Sequence, residues 1–193
     1  MAAEEGFNVM GVDFSIIPID IMRKRATQRG VPPDRLQYDV ADVRNLEDTF
    51  AARAFDVVVD KGLLDVLLNA HDQVEWWRRC NSGEGSTSRK GGTTACGYDG
   101  EEAKANAVRA LTQISRVLRP GGVLIMLSYE PPKGRNEFLT DERFGWRFQT
   151  QPEEDEKGNF LYVLQKELED EGGGGGGGAG ARIITTYDPD ELD

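Results

Sequence analysis

The chain has little of what a disulfide-stapled or metal-bound protein depends on: two cysteines, Cys80 and Cys96, and a single histidine, His71, among 193 residues. Two thiols in a Gly/Ser-rich stretch make no disulfide framework, and one imidazole nearby does not complete a zinc ligand set, so reduced, incidental thiols are expected. Long apolar runs are missing too. None approaches the ~20 residues needed to cross a bilayer, and the start, MAAEEGFN, lacks the basic-then-apolar order of a secretory signal, so a cytoplasmic location and no membrane partner are expected. Positive charge is short, with 23 Lys plus Arg against 34 Asp plus Glu and a net charge of -11. Duplex DNA or an anionic membrane needs a basic footprint, so no nucleic acid is expected as the main partner. Much of the excess lies at the end: Glu167 to Asp193 holds eight acids against Arg182, which reads as a solvated tail or as an acidic surface for a basic partner.

What is present suits one soluble α/β domain. The length supports a single sizeable core, and 38% hydrophobic with 30% charged residues is ordinary globular composition. Two stretches stand apart. Residues 78–100 are dominated by Gly, Ser and Thr without apolar periodicity and read as a flexible insertion. Seven glycines, Gly172 to Gly178, separate the body from ARIITTYDPDELD, so the expected organisation is a domain over 1–166 and an acidic, glycine-rich linker and tail over 167–193. The run from Arg182 to Tyr187 could form a short strand or dock a partner; a disordered tail is the expectation.

Between these stretches, strand and helix patterns alternate. Asn8 to Val12, Leu36 to Val40, Phe55 to Val59 and Val123 to Leu127 are apolar runs of strand length, the last two typical of strands buried on both faces. Ser15 is placed to cap a helix carrying Ile16, Ile17, Ile19, Ile21 and Met22 with Pro18 in its first turn. A second helix opens at Leu63 toward Trp76. Ala107, Leu111, Ile114 and Leu118 form an apolar stripe on a third, which Arg119-Pro120-Gly121-Gly122 is expected to stop. Trp146 to Gln149 and Phe160 to Gln165 complete the pattern as two strands without a helix between them. The fold class is therefore α/β: a Rossmann-like, mostly parallel sheet with helices on both faces and a C-terminal antiparallel hairpin.

Three successive strands end in aspartate, at Asp13, Asp42 and Asp60. Ligands of open α/β sheets bind beyond the carboxyl ends of the strands, where one acid can accept both ribose hydroxyls, the next an adenine amino group, and the third can face a cationic substrate atom. The bland alternative is that Asp is simply favoured at strand ends and helix caps.

The string FDVVVDKGLLDVLL from Phe55 to Leu68, with VMGVDFS before it, DVRNL at Asp42 to Leu46 and ISRVLRPGGVLIMLSY after it, resembles class I S-adenosylmethionine-dependent methyltransferases. More narrowly, it is similar to the methyltransferase-like group that includes the lysine methyltransferases of elongation factor 1-alpha, which reads (D/E)KGTLD where this chain has Asp60 to Asp65. The resemblance implies S-adenosyl-L-methionine as cofactor and a protein substrate, a translation factor among the candidates. It implies that Asp13 with Phe14 holds the ribose, that Asp42 and Val43 contact the adenine, that Lys61 lies against the cofactor, and that Asp60 faces the transfer site. Tyr129 and Trp146 are candidates for walls of the acceptor pocket. A lysine acceptor attacks as the neutral amine, so a partly desolvated pocket would help it.

Two departures from the family pattern follow. Leu63 stands where Thr is usual. About twenty residues before the position of Asp13, members carry a strand and a glycine-rich turn of the type LELGCGNS, where this chain has MAAEEGF. The expectation is a truncated chain whose first strand, the centre of the sheet, is missing, which puts its activity in question. The competing function is a noncatalytic binding module on a degenerate scaffold. A nicotinamide-dependent dehydrogenase comes third, because no G-x-G-x-x-G precedes Asp13.

Overall fold

Apolar runs of strand period and helix period take turns along the chain, and the elements follow them. The structure, a computed structural model, describes residues 6–68, 100–168 and 181–186. Asn8–Asp13 is β1. Ser15 caps α1 (Ile16–Gln28) by accepting the Ile17 N–H, and β2 is Leu36–Val40. A 3-10 turn at Val43–Asp48 leads to β3 (Phe55–Lys61). Gly62 turns the chain at φ +80°, a region that a side chain resists, into a helix α2 described over 63–68. Then come α3 (Gly100–Val117), β4 (Leu118–Ser128), α4 (Pro132–Leu139), a 3-10 turn at Glu142–Phe144, β5 (Trp146–Phe148), β6 (Glu153–Glu154), β7 (Phe160–Lys166) and β8 (Arg182–Thr186).

The strands form one sheet in the order β2-β1-β8-β3-β4-β7-β5, with β6 beside β7. From β2 to β4 all neighbours are parallel, and β7 runs antiparallel between β4 and β5, as the sequence pattern implies. The α3 stripe of Ala107, Leu111 and Ile114 is buried in the same core as Val58, Leu124, Met126 and Leu164. Full burial of a Leu or Ile side chain is worth roughly 1.5–3 kcal/mol, so the stripe alone explains why this amphipathic segment is held against the sheet. Ser115 Oγ donates to Phe144 O at 2.7 Å, tying α3 to the turn before β5.

The sheet corrects the sequence reading in four places. Arg182–Thr186, expected in a tail, is the middle one of the five parallel strands, and the position expected to be empty is filled by it. Two parallel strands with no neighbour between them leave rows of unpaired N–H and C=O groups, and the β-branched run Ile183 to Thr186 suits such a gap. The Pro-Gly-Gly segment does not separate helix from strand: β4 begins at Leu118. Four residues on β4, Arg119 to Gly122, then stand against one on β3, Asp56, as a bulge. Pro120 has no N–H for the ladder, Gly121 adopts φ +75°, and Arg119 turns to pair with Asp56. Helix α4 has no counterpart among the expected elements, although the Pro131-Pro132 pair that opens it is a helix-start signal. Gly100, placed in the insertion, opens α3. The rest of that insertion, both cysteines, His71, the α2 residues toward Trp76 and the glycine run lie outside the described residues.

Candidate active site

Because β2, β1, β8, β3 and β4 run parallel, all of them deliver their carboxyl ends to one edge of the sheet. Asp13 pairs with Val40 at the end of β2. Continuing the row Gly11–Thr185–Val59 by two residues brings Asp13 level with Lys61, two strand spacings or about 10 Å away.

The three strand-end acids are not equivalent. Asp13 is half-buried at the lip and accepts the Ser15 N–H through Oδ1 at 2.6 Å, so the turn that starts α1 also fixes this carboxylate. Phe14 beside it is 79% exposed, and Ile16 and Ile17 are exposed as well, giving the lip an apolar rim. Asp42 caps the 3-10 turn by accepting the Arg44 N–H at 2.9 Å, and the Arg44 guanidinium reaches both of its oxygens. Those hydrogen bonds from the Arg44 side chain, against partial burial, hold its carboxyl below the usual range. Val43 is buried next to it.

Asp60 is 1% exposed, and its Oδ1 accepts the Leu63 N–H at 2.8 Å as the cap of α2. Burial pushes its pKa up to about 7, a rise that the nearby Asp65 charge reinforces and the hydrogen bonds from the Leu63 and Leu64 backbone oppose. Its carboxyl is thus turned into the first turn of α2. Lys61 is half-buried at the edge, and Tyr129, just past β4, is 49% exposed. Trp146 is placed differently from the sequence expectation. It pairs with Lys166, whose neighbour Gln165 is level with Val123, so it sits at the opposite edge from Asp13. There its indole N–H donates to Leu139 O at 2.9 Å and its ring packs 5.0 Å from Phe144. It is a core residue.

A buried cluster beneath the edge went unread in the sequence. Asp65 Oδ1 accepts the Ser128 hydroxyl at 2.5 Å and the Arg135 guanidinium, while Arg135 Nε donates to Ser128 Oγ at 3.0 Å. The Tyr129 N–H donates to Asp65 Oδ2 at 3.3 Å, so the cluster ties α2, the end of β4 and α4 together directly under Tyr129. The signal available was the second aspartate of DKGLLD: an acid that a helix buries against a parallel sheet needs a partner there.

Among the described residues no group of His, Cys, Asp and Glu is arranged for a metal ion, and no helix is long and apolar enough to cross a membrane. The acceptor set at the edge suits the nucleoside half of S-adenosylmethionine. An acceptor carboxylate, Asp13, stands beside the exposed ring of Phe14, and a second carboxylate follows the adjoining strand.

Comparison with known proteins agrees with this architecture. A family profile described as "Methyltransferase domain" matches residues 1–167. EEF1A lysine methyltransferase 4 of Bos taurus is 31% identical over 139 residues, 72% of this chain and 44% of that protein; its counterpart of Mus musculus is 27% identical over the same shares. The chain thus spans less than half the length of these relatives. Among solved structures, the [4+2]-cyclase SpnF superposes with a TM-score of 0.54 at 15% identity, over 84% of this chain and 67% of that one. A SAM-dependent methyltransferase from Aquifex aeolicus gives 0.51 at 12% identity, over 82% and 68%. These two show the shared fold, whereas the profile covers the body of the chain from its first residue to the end of β7. The chain belongs to the methyltransferase-domain family.

Proposed function

We propose that this chain binds S-adenosyl-L-methionine at the carboxyl edge of its sheet and serves the methylation of a lysine on a protein, a translation factor in the cytoplasm being the favoured substrate. The observation that carries the reading is the pairing at the lip of β1. Asp13 is held by the Ser15 N–H while Phe14 is left 79% exposed beside it. A ribose needs fixed acceptors, and an adenine ring needs an apolar face. Likeness to the lysine methyltransferases over 139 residues supports the acceptor class.

The bound cofactor supplies an electrophilic methyl on a sulfonium, and the residues here have little acid–base work to do. Asp13 would orient the ribose and Phe14 and Val43 would flank the adenine, with Asp42 accepting its amino group alongside Arg44. Lys61 would lie against the cofactor across the crevice. Tyr129, anchored through Asp65, would border the acceptor channel, where a partly desolvated lysine amine is held in line with the methyl. Asp60, with its pKa near 7, would add a carboxyl beneath the transfer point without exposing a full negative charge to solvent.

One observation favours a second reading, a noncatalytic binding module. The segment that follows β8 is Tyr187-Asp188-Pro189-Asp190, without glycines to let backbone approach the methionine end of a cofactor. Calorimetric titration of the full chain with S-adenosylhomocysteine, beside Asp13→Ala, separates the two. Micromolar binding weakened at least tenfold in the variant, with its Tm unchanged, is the expected result. A folded chain that takes up no S-adenosylhomocysteine sinks the cofactor reading and leaves the binding module.

A further inference from the structure

The middle position among the five parallel strands is held by the described strand that comes last in chain order. β8 pairs with β1 from Asn8–Arg182 to Val12–Thr186 and with β3 from Val57–Ile183 to Val59–Thr185. Without these five residues, β1 and β3 would face one another across the width of a strand, each with a row of unmet N–H and C=O groups. Ile184, 1% exposed, fills the interior between Met10 and Val58. Asp56 fastens the start of the strand: its Oδ2 accepts the Arg182 N–H at 2.7 Å, and the Arg182 guanidinium lies 5.6 Å over the Phe55 ring.

Chain geometry explains why this segment reaches the gap. Gln165, Val123, Val57 and Ile183 lie on one row across the sheet, so β7 ends and β8 begins at the same edge. Three strand spacings separate them, about 14 Å. Fifteen residues, 167–181, join Lys166 to Arg182; a glycine-rich chain of that length has an average span of roughly 19–23 Å. A tether slightly longer than its gap presents the strand at an effective concentration in the millimolar range. The strand itself is short, with its side-chain burial concentrated in Ile184, so the tether supplies much of the occupancy.

We propose that the gap between β1 and β3 is a strand-accepting site, that Arg182–Thr186 is its resident occupant in cis, and that the same segment of a second copy of this chain can replace it. The site takes an extended, β-branched segment running parallel to β1. It requires an apolar side chain between Met10 and Val58 and a backbone N–H opposite Asp56. Occupancy also sets the separation of Asp13 from Lys61, so an assembled crevice depends on a filled gap; that coupling, unlike strand acceptance, rests on the proposed cofactor site.

The test uses the full chain, its Ile184→Asp variant, and a labelled heptapeptide Ala-Arg-Ile-Ile-Thr-Thr-Tyr copied from residues 181–187. The variant is expected to melt at least 10 °C lower than the wild type. Millimolar heptapeptide should restore most of that loss, and the label should bind the variant at least tenfold more tightly than the wild type, in which the gap is filled. A peptide carrying Asp at the second Ile should do neither. An unchanged melting temperature, or a destabilised variant that neither binds nor is rescued by the heptapeptide, overturns the proposal. Should the variant fail to fold, refolding the wild-type chain from urea with millimolar labelled peptide decides instead. Label retained in the folded monomer supports strand replacement, and unlabelled monomer refutes it. Peptide rescue without S-adenosylhomocysteine binding in any sample would remove the cofactor reading alone and leave the strand site standing.

Discussion

Removing the Asp65 carboxylate should be among the most damaging single changes in this protein, although the residue touches no candidate cofactor group. The Asp65 and Arg135 side chains are each 4% exposed and paired, with Ser128 between them. Taking one member from a buried ion pair leaves the other charge desolvated and uncompensated, which costs about 3–5 kcal/mol. In a chain of this size 1 kcal/mol corresponds to about 2–4 °C in Tm, so Asp65→Leu should melt roughly 6–20 °C lower, and Arg135→Met by a similar amount. The double variant Asp65→Leu/Arg135→Met removes both charges together and should recover more than half of the summed losses. Thermal melts of the four proteins form a double-mutant cycle. Single losses under about 1 kcal/mol that simply add in the double variant would refute the argument, since the two groups would then be neither buried nor coupled as described.

Two further outcomes follow from particular residues. Asp60 binds its proton more tightly folded, with a pKa of about 7, than an unfolded aspartate near 4 does, so between those values the native state holds a proton that the unfolded chain has released. Stability should therefore fall as pH rises from about 4 to 7, and Asp60→Asn, which keeps an acceptor for the Leu63 N–H, should flatten that part of a Tm-against-pH profile; an identical slope in the variant would show that another group titrates. Gly122→Ala should cost about 1–3 kcal/mol in urea unfolding, because an added Cβ would stand 2.8 Å from Arg119 O and 3.0 Å from Asp56 O, both backbone atoms that cannot swing away. A neutral result would mean that the bulge is free to shift.

The parts of the fold legible in the sequence were those whose partners leave a local imprint. β1, β2 and β3 begin where their apolar runs begin, and the α3 stripe is buried as its spacing implies, because burial on a sheet dictates period and composition within a dozen residues. β8 leaves a local imprint of a possible strand, the β-branched run after Arg182, but none of where that strand belongs. Its partners Asn8 to Val12 and Val57 to Val59 lie more than a hundred residues away, and its own neighbourhood is dominated by glycine and acid. Nothing local records that a gap of matching width exists elsewhere in the chain. The site was legible as an edge and not as a set of roles. Asp13, Asp42 and Asp60 share a position in the pattern, yet Arg44 embraces one and the first turn of α2 buries another, and side-chain direction at a strand end is not written in hydrophobic periodicity.

The place of β8 also bears on the order in which this protein can acquire its structure. Among the described residues, the two parts of the sheet, β2-β1 on one side and β3-β4-β7-β5 on the other, are joined in the strand order only through β8. A ribosome emits both parts before Arg182 appears, so a nascent chain can begin to form each of them while their shared seam waits. Closing the seam joins groups as far apart as Asp56 and Arg182, 126 positions along the chain. Contacts of that sequence separation are slow to find, so the last step of folding, and the first place at which the molecule comes apart, should be this seam through the parallel strands.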